Sequence, residues 1–134
     1  MTLKNKLELI YNCIVVLIRK RDIRCEIPLS TRFNHSGLGT VIGKGVVLGE
    51  NCIIGAGVII GAQGKKYPHI GCNCIICTHA TIIGGIIVGH HSVIGAGAVV
   101  IQNIPPYSLV VGVPAKVIKT ITQEKYEMYW DERR

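Results

Sequence analysis

Aromatic side chains are scarce: 134 residues hold one Phe, one Trp and five Tyr. So few rings exclude a core built on aromatics, and they leave no ladder of stacking platforms of the kind single-stranded nucleic acid uses. Acidic residues are also few, eight against fifteen Lys and Arg, for a formal net charge of +7. The positive residues gather towards the two ends without forming a recognition motif, so no nucleic-acid partner is expected, and a small ligand bearing phosphate suits the charge equally well. No apolar run reaches the about 20 residues that cross a bilayer. The longest near the start, "IYNCIVVLI", stops at "RKRDIR". It reads as a helix that docks, on protein more readily than on a membrane surface. No secretory leader with a cleavage site is recognisable, so Cys13, Cys25, Cys52, Cys72, Cys74 and Cys77 read as thiols of a reducing cytoplasm and not as a disulfide framework.

What is abundant is Ile, Val and Gly, with 16 glycines. Large aliphatic residues recur at Ile42, Leu48, Ile54 and Ile60, and again at Ile70, Ile76, Ile82, Val88, Ile94 and Val100, six apart within each series. Glycine usually follows (Gly43, Gly49, Gly55, Gly61, Gly71, Gly89, Gly95), and four positions on stands a small or β-branched residue such as Val46, Cys52, Val58, Cys74, Ala80, Ser92 or Ala98. A period of six fits neither a helix nor an alternating strand. It fits a solenoid in which each hexad is one short strand and a turn, three hexads make a triangular coil of about 18 residues, and coils stack at about 4.8 Å. The aliphatic residue then points to the axis, and the glycine is expected to supply a backbone conformation that a Cβ penalises.

The length suits a single domain, residues 1–134. The expected division is an N-terminal helical segment over 1–22, a solenoid over 23–118 carrying a loop at 61–69, and a helical tail over 119–134. Tyr126, Tyr129 and Trp130 in the tail are expected to pack on a neighbouring surface and not on a cofactor, since a solenoid must cover its ends.

The beat fails twice. Between Ile60 and Ile70 the spacing is ten, so "GAQGKKYPH" carries four extra residues. Insertions leave a solenoid as loops on one face, either as binding elements or as tolerated surface. The second failure is "FNHSGLGTVIG", from Phe33 to Gly43. Ile23 and Leu29 are expected to open the beat, but Ser36 is not aliphatic. His35 is therefore displaced from the core-stacking positions and must face solvent or another chain.

The run "FNHSGLGTVIGKGVVLGENCIIGAGVIIGAQGK", with "PHIG", "IGAGAVV" and the closing "IPPYSLVVGVPAKVI", resembles the catalytic half of serine O-acetyltransferases and the related sugar and capsule O-acetyltransferases. These are hexapeptide-repeat acyltransferases of left-handed parallel β-helix fold. The resemblance implies an all-β solenoid with helical caps and acetyl-CoA as co-substrate, with no metal. It also implies a homotrimer with active sites between subunits, and His35 as general base. A neutral imidazole, of pKa near about 6.5, can take the proton of an acceptor hydroxyl as its oxygen attacks the thioester. Backbone N–H groups between Ser36 and Gly39 are candidate donors to the oxyanion.

By the same resemblance, a carboxylate is expected on the other imidazole nitrogen. Glu26, in "EIP", matches that place, although the segment leading to His35 is about a hexad shorter than in the family; Asp22 competes with it. Asn34, Tyr67 and His69 match acceptor-binding positions. Gly61, Ala62, Gln63, Gly64 and Lys65 stand where the family has a glycine-rich CoA loop. Thr78 and Ala96 match small groove-lining positions, and Lys116 and Lys119 stand where lysines meet the phosphates, though surface lysines need no ligand. Asn34-His35 replaces the family's Asp-His, and Tyr67-Pro68-His69 replaces its His-Pro-Lys, so the acceptor hydroxyl can belong to serine or to a sugar.

Two other classes compete. A hexapeptide-repeat carbonic anhydrase would need three histidines on a metal, with His79, His90 and His91 as candidates, but adjacent His90 and His91 are expected to point apart. "CNCIIC" could suggest zinc, but Cys74 falls on the small inward slot while Cys72 and Cys77 do not, which favours buried thiols acting as small hydrophobes. A non-catalytic scaffold would need no off-beat histidine.

Overall fold

The computed structural model describes residues 1–10 and 21–131. Residues 3–10 form helix α1, whose Leu3, Leu7, Leu9 and Ile10 are all exposed. Most of the apolar run expected to dock lies outside the described residues.

From Asp22 the chain winds as a triangular solenoid of two- and three-residue strands on three faces. The first face stacks β1 (Asp22–Ile23), β3 (Val41–Ile42), β6 (Ile59–Gly61), β9 (Thr81–Ile83) and β12 (Val99–Val100). The second stacks β4 (Val47–Leu48), β7 (His69–Ile70) and β10 (Ile87–Val88). The third stacks β2 (Arg32–Phe33), β5 (Ile53–Ile54), β8 (Ile75–Ile76), β11 (Val93–Ile94) and β13 (Ser108–Gly112), and is extended by β14 (Ala115–Thr120). All pairings are parallel except β13 with β14, which turns back as an antiparallel hairpin. The solenoid therefore closes with this hairpin, and Lys119 and Thr120 lie in its last strand, beyond the boundary expected from sequence.

Each aliphatic residue of the beat faces its equivalent one coil away: Ile42, Ile60, Ile82 and Val100 on the first face, Leu48, Ile70 and Val88 on the second, Ile54, Ile76, Ile94 and Val110 on the third. All are buried. Burial of each such side chain contributes about 1.5–3 kcal/mol. The first coil joins through Ile23 and Phe33, whereas Leu29, expected on the beat, is fully exposed, and the first coil gives no strand to the second face.

The beat glycines serve a different end from the one expected. Gly43, Gly49, Gly55, Gly61, Gly71, Gly89 and Gly95 all lack positive φ. At Gly49 and Gly71 a Cβ would instead lie 2.6 Å from a backbone nitrogen of the next coil, that of Cys72 and of His90. The left-handed residues come two positions later, at Asn51, Gly57, Asn73, His91 and Gly97.

The third face carries a second apolar layer. Ile53, Ile75, Val93 and Cys77 pack outward against Ile121, Tyr126, Tyr129 and Trp130, the last three on helix α2 (Gln123–Asp131). Thr122 caps that helix, its Oγ1 accepting from the Lys125 N–H at 3.4 Å. The Arg32 guanidinium lies 4.9 Å from the Trp130 ring centroid. The neighbouring surface that takes these aromatics is thus the chain's own third face.

Candidate active site

His35 stands on the corner that leads from the third face to the first. Chain leaving Phe33 makes a 3-10 turn over Asn34–Gly37, broken by His35 (φ 52°, ψ 37°) and Ser36 (φ 57°, ψ 18°), both left-handed. Two consecutive non-glycine residues there cost about 1–3 kcal/mol each. Gly37 and Gly39 complete the turn at positive φ. A Cβ on Gly37 would lie 2.9 Å from the Phe33 ring. Below the turn, Thr40 is buried and donates to the Gly55 carbonyl at 3.1 Å, and the Gly57 N–H donates to the Leu38 carbonyl at 2.7 Å. The strained turn is thereby tied to the next coil. His35 itself is exposed, and among the described residues its imidazole has no partner. Of the N–H groups expected to face an oxyanion, that of Leu38 is already bonded to the His35 carbonyl at 3.2 Å.

Lower coils turn the same corner at Ala56-Gly57, Thr78-His79 and Ala96-Gly97, linked by His79 N–H to Ala56 carbonyl (2.9 Å) and Gly97 N–H to Thr78 carbonyl (3.0 Å). Thr78 and Ala96 therefore share an edge with His35. His79 also lies here, its ring across Gly57 in the space a side chain at Gly57 would fill. Val111 rests against Gly95, and Lys116 pairs with Val111 on the hairpin, which brings Lys116 towards this edge. Lys119 instead lines a hollow of about 230 Å³ with Lys125, Met128 and Tyr129.

The loop at 61–69 occupies the other border of the first face. It is a tight hairpin in which Gln63 and Lys66 exchange backbone hydrogen bonds of 3.0 and 3.2 Å around Gly64-Lys65, with Gly64 at φ 62°. The hairpin leans on the next coil: a Cβ on Gly85 would lie 2.8 Å from Lys66 Cβ. Gly61, Ala62, Gln63, Gly64 and Lys65 are thus separated from Thr78 and Ala96 by the width of the first face, where Val41 and Ile59 remain exposed. Tyr67 lies flat on Gly45, where a Cβ would be 2.5 Å from its ring, and it packs partly against the core. His69 points outward from the second face between Val47 and Ile87, beside an apolar hollow of about 700 Å³.

The two candidate carboxylates lie apart. Glu26 lines a hollow of about 500 Å³ with Cys25, Pro28, Lys44 and Glu50, on the corner between first and second faces, away from the His35 turn. Asp22 sits on β1 next to Val41 at the start of the first face. It accepts from Arg24 Nε at 3.0 and 3.2 Å, and its hydrogen bond and charge raise the Arg24 pKa. Arg21, beside Phe33 and Gly37, is a cation of this neighbourhood with no sequence pattern to mark it; its guanidinium lies 4.5 Å from the Phe33 ring centroid.

His90 and His91 do not point apart. They occupy a corner, with His91 at φ 55°, and their Nδ1 atoms are 2.9 Å from each other. His79 is on a different corner, so the three do not converge, and no cluster of metal-binding side chains occurs among the described residues. Cys74 takes the small inward slot in a column with Cys52, Ser92 and Ser108. Cys52 and Cys74 each donate to a carbonyl of the following coil at 3.3 Å, as Ser92 does at 3.1 Å. The hydrogen bond with Cys52, then burial, pushes the Cys74 thiol well above its ordinary value. Cys72 is exposed and Cys77 is buried beneath α2, so the "CNCIIC" sulfurs diverge.

The coil and its corners are those of the left-handed parallel β-helix. A family model described as the hexapeptide repeat of succinyl-transferase matches residues 35–62 and 69–102, omitting the loop tip. Within this class the chain resembles serine O-acetyltransferases. Serine acetyltransferase of Staphylococcus aureus is 40% identical over 57 residues, 42% of this chain and 27% of that protein. The serine acetyltransferase of Neisseria gonorrhoeae solved in complex with serine has a TM-score of 0.74 and 31% identity over 87% of this chain and 50% of that one. That of Brucella abortus in complex with coenzyme A has a TM-score of 0.65 and 34% identity over 69% and 38%. The matched segment spans 27% of the curated relative and half or less of the solved ones.

Proposed function

We propose that the chain is an acetyl-CoA-dependent O-acetyltransferase in which His35 is the general base. The observation that carries this reading is the His35 turn: an exposed imidazole, without a partner among the described residues, on two left-handed residues tied to the next coil. The imidazole removes the acceptor hydroxyl proton as the oxygen attacks the thioester carbonyl carbon. The tetrahedral oxyanion collapses, the C–S bond breaks, and the CoA thiolate takes the proton held on the imidazolium. An acetyl ester and CoA are the products, with no protein nucleophile. Likeness to a relative solved with coenzyme A supports the donor.

The proposed assembly is a homotrimer. The loop at 61–65 and the edge bearing Thr78 and Ala96 lie on opposite borders of the first face, so a neighbour's loop is needed to complete a groove along that edge. In that groove Lys65 and Lys116 would meet the donor phosphates. Asp22 is the better carboxylate for His35 than Glu26, because it stands at the near end of the first face. The compartment is proposed to be the cytoplasm.

The acceptor is serine or a sugar hydroxyl. Asn34 is uncharged and Asp22 is engaged by Arg24, which favours an acceptor without an ammonium group. Release of CoA thiol from acetyl-CoA, measured with amino acids and a panel of sugars, tests the reading. Acceptor-dependent release above hydrolysis is expected; hydrolysis alone with every acceptor would contradict it.

A further inference from the structure

A cation stands beside the His35 turn that the proposed chemistry does not use. Arg21 comes one residue before β1, and the Asp22 N–H donates to the Thr40 carbonyl at 2.8 Å. Arg21 therefore enters the solenoid over the end of the segment that carries His35. Its side chain touches both ends of the 3-10 turn. The guanidinium carbon lies 4.5 Å from the ring centroid of Phe33, which precedes the turn, and Cδ would be 3.2 Å from a Cβ built on Gly37, which ends it. A guanidinium laid over a ring still has N–H groups to offer at its edge. Among the described residues nothing takes them: Arg21 is in no hydrogen bond or ion pair, and the adjacent acid, Asp22, is held by Arg24 at 3.0 Å. Residues 11–20, just before it, contain no Asp or Glu. The foot of the His35 turn thus carries a fixed positive charge that no neighbouring acid neutralises.

We propose that Arg21 binds the acceptor, and that the acceptor is a hydroxyl compound carrying a carboxylate and no ammonium group. This rests on the acyl-transfer reading above. In that reading the donor arm leaves His35 towards Thr78, Ala96 and Lys116, along the later coils. The acceptor hydroxyl then reaches His35 from the opposite side, where the first coil supplies Arg21. The planar fork of the guanidinium pairs with a carboxylate through two N–H···O bonds, holding the acceptor by its acid group while a hydroxyl of the same molecule meets the imidazole. An ammonium group finds no free carboxylate at the turn: position 34 is Asn, and Asp22 is engaged by Arg24. A sugar acid or a small hydroxy acid meets both conditions, whereas serine meets only the first.

The test measures CoA thiol release by the full chain with D-glucuronate against D-glucose and with D-glycerate against glycerol, with L-serine beside them. The first pair probes a sugar acid and the second a small hydroxy acid. In at least one pair the wild type is expected to prefer the acid by about tenfold or more in kcat/KM, the scale of a charge-assisted pair, and to prefer that acid to serine. Added salt should shrink the preference. Arg21→Gln should bring the ratio close to one, chiefly by raising KM for the acid, and Arg21→Lys should keep part of it as a point charge. Thermal melts and calorimetric titration with CoA accompany both variants, to show that the fold and the donor affinity persist. A wild type indifferent to the acid group, or a preference that folded Arg21→Gln leaves intact, would overturn the role of Arg21 while acceptor-dependent release left acyl transfer standing. Serine preferred to both acids would overturn the acceptor class. Hydrolysis alone with every acceptor would overturn the acyl-transfer reading, and this proposal with it.

Discussion

The ring of His91 lies over that of Tyr107, with centroids 4.8 Å apart and planes within 14° of each other. Tyr126 of α2 meets the same imidazole edge-on at 4.9 Å, and His90 faces it at 5.1 Å. One corner histidine thus joins the solenoid to the helix that covers its third face. Burial, and then the charge of His90, lowers the His91 pKa. The unfolded chain binds this proton more readily than the folded one, so the contribution to stability is complete above the unfolded value of about 6.5 and declines as pH falls through it. The melting temperature should therefore fall between roughly pH 7.5 and 5.5. His91→Asn, which places at this corner the residue type already found at Asn51 and Asn73, should flatten that fall. An unaltered slope would remove His91 as its source.

Glycines of the beat separate into two kinds. A Cβ at Gly71 collides with the backbone of His90, whereas at Gly61 the nearest atom is 3.7 Å away. Gly71→Ala should destabilise by about 1–3 kcal/mol or more through overpacking, and Gly61→Ala by less than about 0.5 kcal/mol. Urea melts of the two variants measure the difference; equal effects would contradict close approach as the reason for glycine.

Among the described residues the buried Tyr126 hydroxyl has no hydrogen-bond partner, and burial raises its pKa. Tyr126→Phe should leave stability unchanged or raise it by about 1 kcal/mol, since an unsatisfied buried hydroxyl is destabilising. A loss of more than about 1 kcal/mol in the same melts would mean that the hydroxyl is bonded in solution.

Most of the coil was legible because one inward residue per strand is enough to set the period, and Ile54, Ile76 and Ile94 kept it. The purpose of the glycines was not, since Gly49 and Gly71 look in sequence like corner residues while the left-handed positions at Asn51 and Asn73 look ordinary. His35 was conspicuous because it breaks the beat. His79 was weighed only as a metal candidate: it follows Thr78 in phase, and only the approach of Gly57 from the coil before shows where its ring lies. Glu26 matched a motif, but the path of the first coil carries it to another corner. His90 and His91 were read as strand neighbours, and a turn brings their nitrogens together instead. Loop 61–69 and the edge of Thr78 and Ala96 lie on opposite borders of the first face, and no spacing within one sequence encodes how the proposed neighbouring chain would bring them together.

The most direct measurement is the rate of CoA thiol release by His35→Ala, with circular dichroism to confirm the solenoid. General-base removal should lower kcat by about 10²-fold or more, with CoA affinity retained because the proposed donor groove does not use this side chain. A folded His35→Ala protein that releases thiol at the wild-type rate would contradict the account.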